Sequence, residues 1–333
     1  MIDRFRLTLA QLNATVGDLA GNAALALDAW AQGRDAGANM VALPEMFLTG
    51  YQTQDLVLKP AFLRDCHAAL DALAAACADG PTLAIGAPWS EGESLYNAYL
   101  ILQGGRIAAK VFKHELPHKQ LFDELRLFDP GPISGPYVVD GVRIGSPICE
   151  DAWWQPVTET LAETGAEILI VPNGSPYHRN KLDLRMGHIV ARVVESGLPA
   201  AYLNMVGGQD DQLYDGASFA LNPGADGGAD KVMQMEPFDQ AVLHLDLERT
   251  AHGWRVVPGP MEHQPDEWEQ DYRAMTEGLR DYMRKSGFRK VVLGLSGWFE
   301  RVIRINLTGS FIVARTRWGR RRSRIATEHR HCD

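Results

Sequence analysis

Cysteine is scarce: Cys66, Cys77, Cys149 and Cys332 are scattered over 333 residues with no CxxC pair. That spacing excludes a dense disulfide framework and a cysteine-based zinc module, and reduced thiols are expected. Long apolar runs are missing as well. No stretch of about eighteen apolar residues occurs, so no membrane span is expected. The amino end, MIDRFRLTLAQLN, alternates like a strand and lacks the basic-then-apolar layout of a signal peptide, so the expected location is cytoplasmic. Net positive charge is absent too: the formal charge is −9, which disfavours nucleic acid as a partner. There is no internal repeat. His329, His331 and Cys332 cluster only at the chain end and are read as incidental, so no metal is expected.

The residues that are present suit a globular protein, with a hydrophobic share of 46% and a charged share of 23%. The length allows one large domain or two ordinary ones. Charge is uneven. From Trp298 onward there are nine arginines, no lysine and three acids, so that segment carries +6 and the remainder −15. Strand-like and helix-like patterns alternate, which predicts an α/β fold. Strands are expected at Arg6–Leu12, Met40–Pro44, Thr82–Trp89, Val142–Ile148, Glu167–Val171, Pro199–Asn204, Lys231–Met235 and Ala241–Leu247. Helices are expected at Asn22–Ala36, at Asp55–Ala78 with a break at Pro60, and at Asp183–Ser196. Leu95–Leu102 and Ile107–Phe112, joined by Gly104-Gly105, read as a hairpin.

Further on, Thr250–Pro265 is rich in Gly, Pro and His and reads as a linker. Asp266–Lys285 spaces Trp268, Tyr272, Met275, Leu279 and Tyr282 helically, with Gly287 as a stop, and Lys290–Leu295 is a β-branched run ending in GLSG. A helix, a strand and a glycine turn open a new α/β domain, but too few residues follow to complete one. The expected organisation is a first domain at 1–248, a linker at 249–265, the start of a second domain at 266–297 and an arginine-rich tail at 298–333.

Three strand ends carry chemistry. Cys149 in RIGSPICEDAWW follows a buried-looking strand, where a sheet presents reactive groups. Taken alone, such a cysteine is a small core hydrophobe. Glu150 and Asp151 beside it oppose a thiolate, so a nucleophile there needs a base or cation from elsewhere. Glu45 ends MVALPE and is wrapped by MFLTGY, an environment that raises a carboxyl pKa and suits a general base. Lys113 ends the hairpin in AAKVFKHELP. Together they supply a proton acceptor, a cation for an oxyanion and a sulfur nucleophile, the cation being worth roughly a hundredfold to a thousandfold in rate. Trp153 and Trp154 either wall this pocket or pack beside it.

LPEMFLTGY, FKHELP…LFDE and ICEDAWW resemble the three signature blocks of the nitrilase (carbon–nitrogen hydrolase) superfamily, in order and with similar spacing. Over about 248 residues the resemblance implies a four-layer αββα sandwich. It makes Glu45 the base, Lys113 the oxyanion stabiliser and Cys149 the nucleophile that forms a thioester. Glu124, in LFDE, falls where the superfamily often has a second acid supporting the lysine.

A finer resemblance, through FDELRLFDPG, PNGSPYHRNKLDLR, LNMVGGQDDQLYDGAS and YRAMTEGLRDYMRKSGFRKVVLGLSG, is to the glutamine-dependent NAD synthetase family. It reaches about Gly297 and implies a glutaminase that feeds ammonia to an ATP-pyrophosphatase domain. In that family a serine and a basic residue six positions later hold glutamine; Ser175 and Lys181 match. The hydrolytic step implies no cofactor, whereas the family's ligase step uses ATP and Mg2+. Pairing of sandwiches into a homo-oligomer is also implied. Two departures stand out. LPHKQLFDE replaces the family's LPNYGVFDE, putting Lys119 at the place of a substrate-positioning tyrosine. SGWFER replaces the phosphate loop SGGxDS, so that Ser296 and Gly297 are its remnant and Trp298 blocks the close phosphate approach a glycine allows. The expectation is a frame change or truncation near codon 297, with the ligase half absent. Two rival readings stand beside the glutaminase: a free-standing amidase acting on another amide, and a non-catalytic oligomerising fragment.

Overall fold

The computed structural model describes residues 2–118 and 123–292. Lys119, Ser296, Gly297 and the tail at 298–333 lie outside the described residues. The chain divides into a unit Met1–Phe288, described here, and a unit Arg289–Asp333.

The first unit begins with β1 (Arg4–Gln11), α1 (Leu19–Asp35), β2 (Met40–Ala42), α2 (Pro60–Ala76), β3 (Thr82–Glu91), β4 (Ser94–Gln103) and β5 (Arg106–Phe112). A second run brings β6 (Tyr137–Val139), β7 (Val142–Gly145), α3 (Gln155–Glu163), β8 (Ile168–Asn173), α4 (Lys181–Ser196) and β9 (Ala200–Asn204). The hairpin β10 (Val206–Gln209) and β11 (Gln212–Asp215) follows, then β12 (Phe219–Pro223), β13 (Ala229–Gln234), β14 (Ala241–Thr250) and β15 (Gly253–Val256). The last described element is α5 (Glu267–Lys285).

Among the described residues β10 and β11 pair as a separate two-stranded sheet, and two large sheets form, ordered β15-β14-β1-β2-β3-β4-β5 and β13-β12-β9-β8-β7-β6. Each has a parallel centre, β1-β2-β3 in one and β7-β8-β9 in the other. Period-two alternation sends one face of each strand to the middle and the other outward. Met40 and Ala42 join Phe5, Leu7, Leu9, Ile144, Ile168 and Ile170 in the core between the sheets. Val41 and Leu43 face the layer of α1 and α2 with Trp30, Cys66 and Leu70. Leu169 and Val171 face α3 and α4 with Leu161, Ile189 and Val193. This is the expected αββα sandwich. Each fully buried Leu or Ile contributes about 1.5–3 kcal/mol of transfer free energy.

Local signals set the helix ends. Asp18 caps α1 by accepting from the Gly21 amide at 2.9 Å. Pro60, expected as a break, opens α2 at a position where a missing N–H costs nothing. Gly197 closes α4 with φ +68°.

The structure departs from the expected elements in several places. The strand read as Val142–Ile148 ends at Gly145, because Pro147 cannot donate to a ladder, and Cys149 opens one turn of 3-10 helix, Cys149–Trp153. The region read as a linker from 249 holds β15, which pairs with β14 around a tight turn at Gly253 (φ +107°). Trp254 and Val256 of that strand enter the core between the sheets. Helix α5 falls where expected but packs within the unit Met1–Phe288, against β10, through its polar side. Asp281 accepts from Asn13 Nδ2 (2.6 Å) and the Gly208 amide (2.7 Å), and Lys285 donates to the Ala14 carbonyl (2.8 Å). Trp268, Tyr272, Met275, Leu279 and Tyr282 are exposed. Helical spacing states which residues share a face, not which face the body takes.

Candidate active site

Glu45, Lys113, Glu124 and Cys149 come from four separate segments and meet at one end of the sandwich. Glu45 lies just beyond β2, where Pro44 stops the ladder, and is fully buried. Lys113 lies one residue past β5, also fully buried. Its Nζ donates to Glu45 Oε1 and to Glu124 Oε2, both at 2.7 Å. Asn97 in β4 donates from Nδ2 to Glu45 Oε1 (2.8 Å) and Glu124 Oε1 (2.9 Å), tying the two carboxylates together. Glu124 Oε1 also accepts from the Tyr51 hydroxyl at 2.7 Å, and Glu45 Oε2 accepts from the Gly174 amide at 2.8 Å. One buried cation thus faces two buried acids. Burial works against the Lys113 charge, but Glu124 and then Glu45 outweigh it and hold the ammonium well above its usual range. Burial raises the Glu124 carboxyl, with Lys113 opposing.

Cys149 adopts φ +49°, a left-handed conformation uncommon for a residue with a Cβ. Strain of this kind, of order 1–3 kcal/mol, collects at functional sites where the surroundings impose it. Burial pushes the thiol well above its ordinary range; Glu45 and Glu150 add to this and Lys113 opposes it. The sulfur is therefore held as a neutral thiol at neutral pH, and its reaction needs a proton acceptor.

Asp151, expected to oppose the thiolate, turns the other way. Its Oδ1 accepts from the His114 (3.0 Å) and Glu115 (2.7 Å) amides, and its Oδ2 accepts from the Ile148 amide (3.0 Å). It staples the end of the Lys113 strand to the Cys149 turn. Burial pushes its carboxyl up to about 7, against those three amide bonds.

A cavity of about 510 Å³ opens beside Cys149 and is also lined by Tyr51, Glu115, Glu150, Ser175 and Lys181. Trp153 and Trp154 both line it. Trp153 stacks on His188 at 4.2 Å and lies under Lys181 Nζ at 4.4 Å. Burial lowers the Lys181 pKa, with Arg185 adding and Cys149 opposing. Ser175 is fixed from behind: Arg185, itself fully buried, donates from Nε to Ser175 Oγ (3.0 Å) and from Nη2 to its carbonyl (2.7 Å). Arg185 is paired with Asp215 at 2.8 Å.

The structure thus places Cys149, Ser175 and Lys181 on one cavity, with Glu45, Lys113 and Glu124 bonded behind its wall through Tyr51 and the Gly174 amide. Sequence reasoning missed Tyr51, Asn97, Arg185 and the Gly174 amide. For Asn97 a signal existed: Asn97, Tyr99 and Ile101 share one strand face, and the latter two enter the core between the sheets. A polar residue on such a face needs a buried partner. Arg185 similarly lies one turn before Ile189 on the buried side of α4.

A buried carboxylate, a paired cation and a strained cysteine beside a cavity are the kinds of group that cysteine-dependent acyl transfer uses. Residues 6–226 match the Carbon-nitrogen hydrolase family, and the chain belongs to it. It is 60% identical over 303 residues to the glutamine-dependent NAD(+) synthetase of Rhodobacter capsulatus, covering 91% of this chain and 54% of that protein. Identity to the synthetase of the same name from Aquifex aeolicus (strain VF5) is 34% over 325 residues, covering 88% and 56%. The chain spans about half the length of these curated relatives. Among solved structures, the Acinetobacter baumannii glutamine-dependent NAD+ synthetase in complex with ADP superposes with a TM-score of 0.80 at 26% identity, covering 88% of this chain and 55% of that one. An amidase from Nesterenkonia sp. shares the fold with a TM-score of 0.63 at 21% identity, covering 81% and 97%.

Proposed function

We propose that this chain hydrolyses the side-chain amide of L-glutamine, releasing ammonia and L-glutamate. The observation that carries the reading is the closed Glu45–Lys113–Glu124 network, joined by Tyr51 and the Gly174 amide to the wall of the Cys149 cavity. The glutamine-dependent synthetases to which the chain is similar supply the substrate class.

In this mechanism Glu45 accepts the Cys149 thiol proton while sulfur attacks the amide carbon. Two of the three Lys113 N–H donors are held by carboxylates, which leaves the third for the developing oxyanion. The C–N bond breaks as the proton on Glu45 passes to nitrogen, and ammonia leaves a thioester. Water then attacks the thioester carbon, Glu45 takes its proton and returns it to sulfur, and glutamate departs. Glu124, with Tyr51 and Asn97, fixes the Lys113 ammonium. Lys181 faces the cavity as a cation for the substrate carboxylate. Ser175, whose Oγ accepts from Arg185, stands at the cavity wall as a polar contact for substrate.

The ATP- and Mg2+-dependent ligase step is proposed to be absent from this chain, because SGWFER stands where the phosphate loop needs SGGxDS. The test is ammonia release by the purified chain offered L-glutamine and a panel of simple amides, beside Cys149→Ala. Glutamine turnover that disappears in the variant is the expected result. Turnover of other amides only, or of none, would overturn the glutamine assignment.

A further inference from the structure

Helix α5 lies beyond the 6–226 family match, yet its first turns grip the loop that lines the active-site cavity. That loop, residues 174–181, carries the Gly174 amide on Glu45 at one end and Lys181 at the other, with Ser175 and His178 between them at the cavity wall. Its first half is clamped from within by Arg185, which holds the carbonyls of Ser175 (2.7 Å) and Pro176 (3.1 Å). Its second half is held from outside. Tyr177 donates its hydroxyl to Asp271 Oδ1 at 2.8 Å, and Arg179 donates to Asp271 Oδ2 from Nε at 2.9 Å and also from Nη2. A single carboxylate therefore ties down both residues that flank His178. Arg179 is further paired with Glu267 at 3.2 Å and lies over the Trp268 ring at 5.3 Å.

The helix is itself anchored to the sandwich, through Asp281 on Asn13 and Gly208, and through Arg273 on Glu236 at 2.5 Å. The connection from the helix to the cavity is thus short and made of charge-assisted bonds, which are directional and roughly twice as strong as neutral ones. Arg179 draws the Asp271 carboxylate below its usual range, with the Tyr177 hydroxyl helping, so the clamp is charged at neutral pH.

We propose that Asp271 is a positioning residue: through Tyr177 and Arg179 it sets the geometry of loop 174–181, and so the fit of the amide substrate against Ser175 and Lys181. Asp271 touches no reacting atom, and its effect falls on substrate fit rather than on the thiol. The proposal rests on the amide-hydrolase reading of the same site.

The experiment compares the wild-type chain with Asp271→Ala, Asp271→Asn and Tyr177→Phe. Asp271→Ala is expected to raise KM for the amide that turns over about tenfold, with kcat changed less than about threefold. Asp271→Asn keeps an acceptor for Tyr177 but loses the charge on Arg179, and Tyr177→Phe removes one bond of the set; both should fall between. Alkylation of Cys149 by a small thiol reagent should stay within twofold of wild type. Hydrogen–deuterium exchange should quicken across residues 174–181 in Asp271→Ala and remain unchanged in β1 and β8. An unchanged KM, unchanged exchange in the loop, or a parallel fall of kcat and alkylation rate would each overturn the proposal. Failure of the wild-type chain to turn over any amide would overturn the hydrolase reading alone, because the exchange experiment still decides whether Asp271 holds the loop.

Discussion

Replacing Glu124 by Gln separates its electrostatic role from its shape. The carboxylate is buried, with Oε2 on Lys113 at 2.7 Å and Oε1 accepting from Tyr51 (2.7 Å) and Asn97 (2.9 Å). A glutamine has one acceptor for these two positions. With its oxygen toward Tyr51 and Asn97, its NH2 faces the Lys113 ammonium, donor against donor. In the flipped arrangement the NH2 faces Asn97 and only the Tyr51 oxygen can accept. Removing one partner of a buried pair costs about 3–5 kcal/mol when the remaining charge is stranded. Here Glu45 stays on Lys113, so the loss is placed at about 2–4 kcal/mol, an unfolding midpoint lower by roughly 5–10 °C. Lys113 then leans on Glu45, which displaces the proposed oxyanion donor and occupies the proposed base. A fall in kcat of about a hundredfold follows from the size of a misplaced oxyanion donor. The thiol behaves differently. Glu124 is among the groups that raise it, so alkylation of Cys149 should be no slower than in wild type. The assay pairs ammonia release with the rate of Cys149 alkylation and denaturant unfolding. A kcat within threefold of wild type would show Glu124 to be mere packing. Alkylation falling in step with kcat would show that the cavity has collapsed, and the electrostatic reasoning would be wrong.

Three further outcomes are expected. Glu45→Gln should lower kcat about a thousandfold, within the range assigned to a general base, while thiol alkylation persists; steady-state turnover within tenfold of wild type would remove Glu45 as the base. Asp151→Asn must turn its NH2 toward a buried amide N–H, so a loss of about 1–3 kcal/mol and at least a tenfold drop in kcat are expected; equal stability by urea titration would deny the staple between Lys113 and Cys149. Burial, with Asp281 opposing, lowers the Lys285 ammonium to about 8 from an unfolded value near 10.4. Between those pH values the unfolded chain binds more protons than the native one, so this lysine adds stability as pH rises from about 8 to 10.4 and penalises the fold below that window. The difference in unfolding midpoint between wild type and Lys285→Met should therefore grow in favour of the wild type across the window, and a difference flat with pH would contradict it.

The neutral state of the thiol links the fold to the proposed chemistry. A cysteine paired with a single cation would rest as a thiolate, but here Lys113 is already shared between two acids, and burial, Glu45 and Glu150 all hold the proton on sulfur. Attack by such a thiol requires a base placed to take the proton. The cost of burying Glu45, Lys113 and Glu124 is offset by their hydrogen bonds, to Asn97, Tyr51 and the Gly174 amide among others.

Much of this was legible in the sequence, because local rules govern it. The alternation in Phe5, Leu7 and Leu9 and the positions of Glu45 and Lys113 beyond strand ends depend on neighbours a few residues away. The grouping of a carboxylate, a cation and a thiol was legible for the same reason: these are properties of side chains. Direction and partnership were not. That Asp151 turns from the thiol to three backbone amides, that Asn97 bridges two acids, and that α5 lays its polar rather than its apolar side on the body are decided by which groups remain unsatisfied after the sheets pack. The Gly174 amide reaches Glu45 across 129 positions of sequence. No periodicity encodes such a contact. It exists because a buried carboxylate must find donors wherever the tertiary structure supplies them.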